Sequence, residues 1–287
     1  MKIILFASLI AVASLSFGQG RVDGFLKGSG NLDIAIGASY EAAPKYYAGT
    51  NLIESGLGRD VFSTSAFIAY GITNGLDVNV SVPYVNVNGS VGGLQDPSVF
   101  LKYRLISFGG VKMNRCVELK GQKSNSDFKL DVILAGGFSS NITDYQTGGL
   151  NALGQQAKVI DIRPVVQIYL PKSMFLTIQG GYNYKFDPVP NAAVFAVKLG
   201  IAKANWYADF WYDSQYANGG FDYLGTPAPP SFRELGVSFQ KIGGTFYKPI
   251  NGKLGTFAGL SYVLSGRNMS KGFGGNIGIV YKPNLKK

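Results

Sequence analysis

Polar and apolar residues take turns between Thr64 and Leu105. Leu76, Val78, Val80, Val82 and Tyr84 alternate with Asp77, Asn79, Ser81 and Pro83, the period of two of a strand with one apolar and one polar face. Thr64, Ala66, Ile68, Tyr70 and Ile72 alternate in the same way ahead of it. Asn74-Gly75 between the two runs marks a tight hairpin, because both central residues of a type I′ turn need φ > 0. Beyond Asn88 to Gly93, which reads as a glycine-rich loop, Val99, Leu101, Tyr103 and Leu105 alternate with Lys102 and Arg104. Lysine and arginine on the protected face of a strand are costly in a dry core. The cost disappears if that face lines a water-filled lumen while the apolar face meets lipid. These strands read as the wall of a transmembrane β-barrel.

The same alternation continues along the chain. It predicts a first strand over Asn31 to Tyr40, followed by a loop to about Asp60. After the hairpin it predicts a fifth strand from Phe128 to Phe138, a sixth through Ile160–Ile168, a seventh through Leu176–Phe186 and an eighth through Phe195–Ile201. Trp206, Ala208, Phe210 and Tyr212 face outward on the ninth. A tenth starts near Glu234 with Leu235, Val237 and Phe239 outward, and Gly243-Gly244 suggests a bulge in it. Asn251-Gly252 turns the chain into an eleventh strand holding Leu260, Tyr262 and Leu264. Phe273, Ile277, Ile279 and Tyr281 belong to the twelfth. The expected fold is all-β, an antiparallel up-and-down transmembrane barrel of about twelve strands, the even count usual for bacterial single-chain barrels. Outward aromatics collect in two rows: Tyr40, Phe62, Tyr84, Phe138, Phe186, Tyr212 and Phe273 at one end, Tyr70, Tyr103, Phe128, Trp206 and Tyr281 at the other. Rings at headgroup level explain such girdles.

Composition agrees. Hydrophobic residues make up 46% and charged residues only 15%, below the roughly 25% of soluble domains. Beyond the N-terminus no run approaches the ~18 apolar residues of a membrane helix. Met1 to Gly18 reads as an export signal: Lys2, the apolar run Ile3–Leu15, then Ser16-Phe17-Gly18 with small residues before a cut after Gly18. Residues 19–287 then form one barrel domain in a bacterial outer membrane. The formal charge of +10 is scattered rather than gathered on a motif, which argues against nucleic acid. The single cysteine, Cys116, allows no internal disulfide, and the chain has no histidine. That absence excludes Ser-His-Asp and Cys-His catalysis and histidine-bound zinc. No enzyme activity, metal or cofactor is expected.

The chemistry must then lie on the inner face. Lys102/Arg104, Lys129/Asp131 and Asp161/Arg163 mark a permeation path or a satisfied network that holds the barrel rigid. On the ninth strand Tyr207, Asp209, Trp211 and Asp213 point inward. Aromatic faces beside carboxylates suit a small apolar or aromatic ligand, or they plug the lumen.

Three stretches carry a family likeness. They are Tyr70-Gly71-Ile72-Thr73-Asn74-Gly75-Leu76-Asp77-Val78 with Val82-Pro83-Tyr84-Val85, then Gln95-Asp96-Pro97-Ser98-Val99-Phe100-Leu101-Lys102-Tyr103-Arg104-Leu105, and Leu264-Ser265-Gly266-Arg267-Asn268 with Gly278-Ile279-Val280-Tyr281-Lys282. The chain resembles the meta-pathway phenol-degradation family of outer-membrane transporters. The resemblance implies a roughly twelve-stranded barrel that moves small, often hydrophobic compounds, and brings no catalytic residues. Two departures stand out: Ser107–Ser126, with Cys116, looks like an insertion, and Pro283–Lys287 continues past the last aromatic. The expected partners are outer-membrane lipid and a small-molecule solute, with the number of copies left open. The competing expectation is a structural or assembly barrel without transport.

Overall fold

The computed structural model describes residues 22–109, 128–149 and 151–283. The signal segment, its cut after Gly18, Cys116 and the last four residues lie outside them. The described chain forms β1 (Leu32–Ala48), β2 (Asn51–Gly71), β3 (Leu76–Val87), β4 (Val91–Leu94), β5 (Ser98–Phe108), β6 (Lys129–Ser139) and β7 (Val159–Tyr169). These are followed by β8 (Met174–Lys185), β9 (Ala192–Ala202), β10 (Tyr207–Ala217), β11 (Ser238–Pro249), β12 (Leu254–Arg267) and β13 (Met269–Tyr281). Each strand pairs with its sequence neighbours, β1 pairs with β13, and the β2–β3 pairing completes the ring. β4 and β5 lie end to end along β3 and share one place in the wall. The result is a closed twelve-stranded antiparallel barrel.

The facing read from alternation is the facing observed, except on the tenth strand, where Phe239 pairs with Gln215 and shares the inner face with buried Lys241 instead of pointing outward. Ile36, Leu260 and Phe273 are 64%, 66% and 69% exposed, which a water-soluble sandwich would not tolerate over a whole surface. Outward Phe62, Tyr84, Phe138, Phe186 and Phe273 are exposed towards one end, and Tyr70, Tyr103, Phe128 and Tyr281 towards the other. Tyr40, Trp206 and Tyr212 are half-buried. Inward Asp77, Lys102, Asp131, Asp161, Arg163 and Gln167 are all buried. Val80 and Ser81 test this register. Val80→Arg is expected to cost about 2–4 kcal/mol by placing charge in lipid, and Ser81→Arg much less. Folded fractions in liposomes would measure both, and equal yields would overturn the facing of β3.

Four details differ from the sequence reading. The expected loop after Tyr40 is strand: β1 and β2 pair up to Ala48↔Asn51 around the turn Gly49–Thr50. Part of the expected loop after Asn88 is β4, folded back on β3 through Val87↔Val91. β11 begins at Ser238, because Phe232–Glu234 is a short 3-10 turn and Leu235 is buried, bridging to Phe221. Gly243-Gly244 pairs regularly with Trp211 and Phe210; the register shift in β11 falls instead at Gln240/Lys241.

One end, which we call lower, has the four-residue turns 72–75, 203–206 and 250–253. The upper end has the long loops 140–158 and 218–237 and the tall β1–β2 hairpin.

Candidate functional site: the lumen

Residues 22–31, ahead of β1, run inside the barrel as a strap. At the lower rim Gly30 N donates to Gly71 O (2.8 Å) and Gly71 N to Asn31 O (2.9 Å). Gly28 and Gly30 have φ of 74° and 72°, which lets the chain bend inward where a side chain would be strained. Gly71 has no room for a Cβ because Gly28 backbone lies against it. Further in, Lys27 N donates to Asp77 Oδ2 (2.7 Å), and Lys102 Nζ donates to the carbonyls of Phe25 (2.7 Å) and Asp23 (3.0 Å). Phe25 packs edge-on against Phe175 and Tyr169, with centroids 4.9 and 5.8 Å away. Val22 exchanges two 3.0 Å hydrogen bonds with the Gln179 amide. Its side chain joins Phe100, Ile133, Ala135 and Val165 in a buried cluster.

The strap changes the meaning of the inward charges. Lys102 and Asp77 are 1% and 0% exposed and lie 3.6 Å apart, so they sit under protein rather than in an open water column. Lys198 Nζ lies 3.6 Å from Asp23 and 3.7 Å from Asp209, and Lys27 pairs with Asp33 at 2.6 Å. Burial pushes the Asp23 carboxyl up, but the Lys198, Lys102 and Lys27 charges outweigh it and hold it below the usual carboxylate value. Burial likewise works against charge on Lys27, and Asp33, Asp23 and Asp77 together raise its pKa. Alternating signs thus tie the strap to β1, β3, β5, β9 and β10.

The other sequence-predicted residues fall into separate groups. Asp131 gathers Lys129 (2.7 Å), Arg104 (3.8 Å) and the Ser107 hydroxyl (2.6 Å) near the lower end. Arg163 holds Asp161 through two nitrogens, Nε to Oδ1 at 2.8 Å and Nη2 to Oδ2 at 2.5 Å, both residues being buried. Tyr207 donates to Asp209, whose other oxygen accepts from Thr245 N (2.9 Å). Tyr207 also stacks on Phe175 at 5.5 Å, beside Phe25. Asp213 lies on the same inner face of β10, half-buried, apart from this cluster.

Trp211 does not reach across the lumen. It is 7% exposed, and its ring lies over Gly243, directly opposite on β11, filling the space a Cβ would take. The same device recurs: Phe100 lies on Gly137, Phe175 on Gly200 and Phe257 on Gly278, each glycine directly across the ladder. Glycine opposite an inward ring lets the ring lie along the wall instead of across the passage. Trp211→Ala is therefore expected to leave single-channel conductance unchanged and to lower stability by about 3–5 kcal/mol through the cavity it leaves. Conductance and thermal unfolding of the same variant check both halves.

Sequence reasoning missed the strap and the wall facing it. The strap packs on β3 and β5 through β10, and near the lower rim it also meets β1 at Asp33 and β2 at Gly71. On the far side, β12, β13, β1 and β2 present Gly37, Ser39, Ser63, Gly259, Ser261 and Gly278 inward, with half-buried Phe67 and Phe257 among them. These small residues leave the inner face of this wall low. Inward glycine at alternate positions was the available signal.

The upper mouth is covered by its own loops. Tyr145 and Leu153 fold inward onto Val85 and Val87 of β3. Burial, followed by the neighbouring Asp96 carboxylate, raises the Tyr145 pKa, so its hydroxyl stays a donor to Asp96 (2.7 Å). Gln155 Nε2 donates to the Arg233 and Leu235 carbonyls (3.0 and 2.9 Å), and Arg233 Nε returns a bond to Gln155 O (3.0 Å). Asn268 pins the second loop through Tyr223 N (2.8 Å) and Phe221 O (2.9 Å). A groove of about 580 Å³ lined by Tyr40, Asp60, Phe62 and Asn86 lies on the outer wall, away from the lumen.

An apolar exterior with aromatic girdles around a charged, hydrogen-bonded interior defines a transmembrane β-barrel. No family model matches the sequence, and no curated protein does. Among solved structures, the chain is similar in fold to the COG4313 outer membrane channel from Pseudomonas putida F1, at TM-score 0.63 and 15% identity over 92% of this chain and 100% of that one. Looser likenesses are to the KdgM porin (TM-score 0.48, 8% identity, 87% of this chain and 99% of that one) and the NanC porin (0.46, 10%, 88% and 100%).

Proposed function

We propose that the protein is an outer-membrane channel that passes small hydrophobic or aromatic solutes, with its lower turns in the periplasm. The observation that carries this is the form of the passage. The strap fills one side of the lumen, and the wall on the other side is lined by glycine, serine and the rings of Phe67 and Phe257. A lumen narrowed by the strap disfavours large hydrated solutes, and ring faces with scattered polar groups favour flat apolar ones. The likeness in fold to an outer-membrane channel and the sequence resemblance to phenol-degradation transporters point the same way. Selectivity comes from the lining, since a barrel of this kind carries no energy source of its own. The partners on this reading are outer-membrane lipid and the solute. Swelling of proteoliposomes across a panel of phenols, sugars and amino acids tests it. Faster entry of phenols than of sugars of similar mass supports the reading, and no permeation by any solute overturns it. The strap also favours a second reading, a scaffold barrel without transport, for which planar bilayers would record no conductance.

A further inference from the structure

The strap accounts for the buried charges on its own side of the lumen, but not for two on the wall facing it. Ser39, Glu41 and Ala43 alternate along the inner face of β1 and are all buried, Glu41 being 9% exposed. Glu41 stands opposite Val61 of β2, and Arg59 stands opposite Ala43, so carboxylate and guanidinium are diagonal neighbours on one face. They feel each other's charge but are not joined in an ion pair. Arg59 is held elsewhere: Nη1 donates to Ser270 Oγ (3.1 Å) and Nη2 to Ala152 O (2.7 Å) in the upper loop. Its Nε is buried without a hydrogen bond. The Glu41 carboxylate accepts none either among the described residues.

A buried donor and a buried carboxylate are both costly when left unsatisfied, and a group set between these two would satisfy both. The surroundings suit an organic molecule. On the β2 side Val61 packs on Val85, Val87, Tyr145 and Leu153, an apolar bed. On the β13 side Glu41 faces Gly274, with Ser261 of β12 beyond it, so nothing bulky stands there. Below, the Ser39 and Ser63 hydroxyls bond each other. An apolar bed with a few converging polar groups is the usual form of a small-molecule site. The polar pair also selects the chemistry. A bridging group has to donate to Glu41 and accept from Arg59 Nε, and a hydroxyl does both. A carboxylate has no proton to donate and is repelled by Glu41. An ammonium has no lone pair to accept with and is repelled by Arg59.

We propose that Glu41 and Arg59 form a binding site beneath the upper loops for the hydroxyl of a small apolar solute. The hydroxyl bridges the two side chains, and the carbon skeleton lies on the apolar bed beside Val61. The proposal rests on the solute class proposed above and adds a functional group to it: the site prefers a neutral alcohol to the acid or the amine of the same skeleton. The preference is strong because an analogue without the hydroxyl leaves the site's own polar groups unpaired.

The test compares benzyl alcohol, benzoate and benzylamine at neutral pH on the intact protein in lipid nanodiscs. Binding is read as saturable broadening of the solute's proton resonances over empty nanodiscs. Wild type is expected to hold benzyl alcohol several-fold more tightly than either charged analogue. Glu41→Gln removes the repulsion of anions and leaves Arg59 unopposed, so benzoate is expected to overtake benzyl alcohol. Arg59→Met does the reverse and favours benzylamine. Loss of packing alone would not move the preference in opposite directions, and heat-modifiable gel migration identifies a variant that does not fold. Equal binding of the three solutes by wild type overturns the site even where neither variant folds. An unchanged order in a folded variant overturns it too, and means that water alone bridges the two side chains. The channel is judged separately by the swelling of proteoliposomes: binding without permeation keeps the site and overturns the channel.

Discussion

Deletion of Val22–Leu26 raises single-channel conductance several-fold, if the strap fills the lumen as described. The deleted segment carries the contacts to Gln179, Phe175 and Lys102 and the Asp23 carboxylate. Its loss leaves Lys102 and Lys198 facing water with only Asp77 and Asp209 as counter-charges. Ion selectivity is therefore expected to move towards anions, read as a shift in reversal potential under a salt gradient. The intact protein also has a defined pH behaviour. Asp23 has a lowered pKa, so its hold on the strap is complete above the ordinary carboxylate value of about 3.9 and is lost as pH falls through the lowered one. Lys27 has a raised pKa, so its hold is complete below about 10.4 and is lost above the raised value. Conductance is expected to stay flat from about pH 5 to 9 and to rise only in strong acid or alkali. A step near neutrality would mean that other groups hold the strap.

Lys102→Met is expected to be the most damaging single substitution for stability. Lys102 and Asp77 are both buried, so removing the ammonium leaves the Asp77 carboxylate with only Lys27 to balance it and two strap carbonyls without their donor. Breaking one side of a buried pair typically costs about 3–5 kcal/mol. The double variant Lys102→Met/Asp77→Asn is expected to recover a good part of that loss, because no unpaired charge remains. Denaturant unfolding in detergent measures both. A single variant as stable as wild type would show that water reaches Asp77 and screens it.

The wall was legible because lipid enforces alternation. Val80 must face out and Asp77 in, and a one-residue slip would reverse every such pair. Where lipid no longer constrains the chain, the pattern fades. Ala42, Ala43 and Pro44 belong to β1, yet read as loop because the upper part of the hairpin stands clear of the apolar band. Leu235 misled for the opposite reason: it alternates with Val237 and Phe239, but the loop it belongs to folds inward and buries it.

The site was legible residue by residue and not as an arrangement. Asp161 with Arg163, and Lys129 with Asp131, are neighbours on one strand face, two positions apart, so their pairing follows from strand geometry alone. That Lys102 serves the strap does not follow, because residues 22–31 carry no alternating pattern that would place them in the fold. Trp211 was correctly turned inward, but whether its ring crosses the lumen depends on Gly243, 32 positions away in sequence and adjacent only across the ladder.

The strap also sets an order of events in folding. Val22 meets Gln179 across 157 positions of chain, and the surface it binds exists only once β5 to β10 have paired. Contacts that close so long a loop form late, after shorter-range hairpins have zipped. They also hold through a few side chains, where each seam of the ring holds through a ladder. On heating, the strap is the part that leaves first: the barrel begins to leak ions while its strands are still paired, and melts only at a higher temperature.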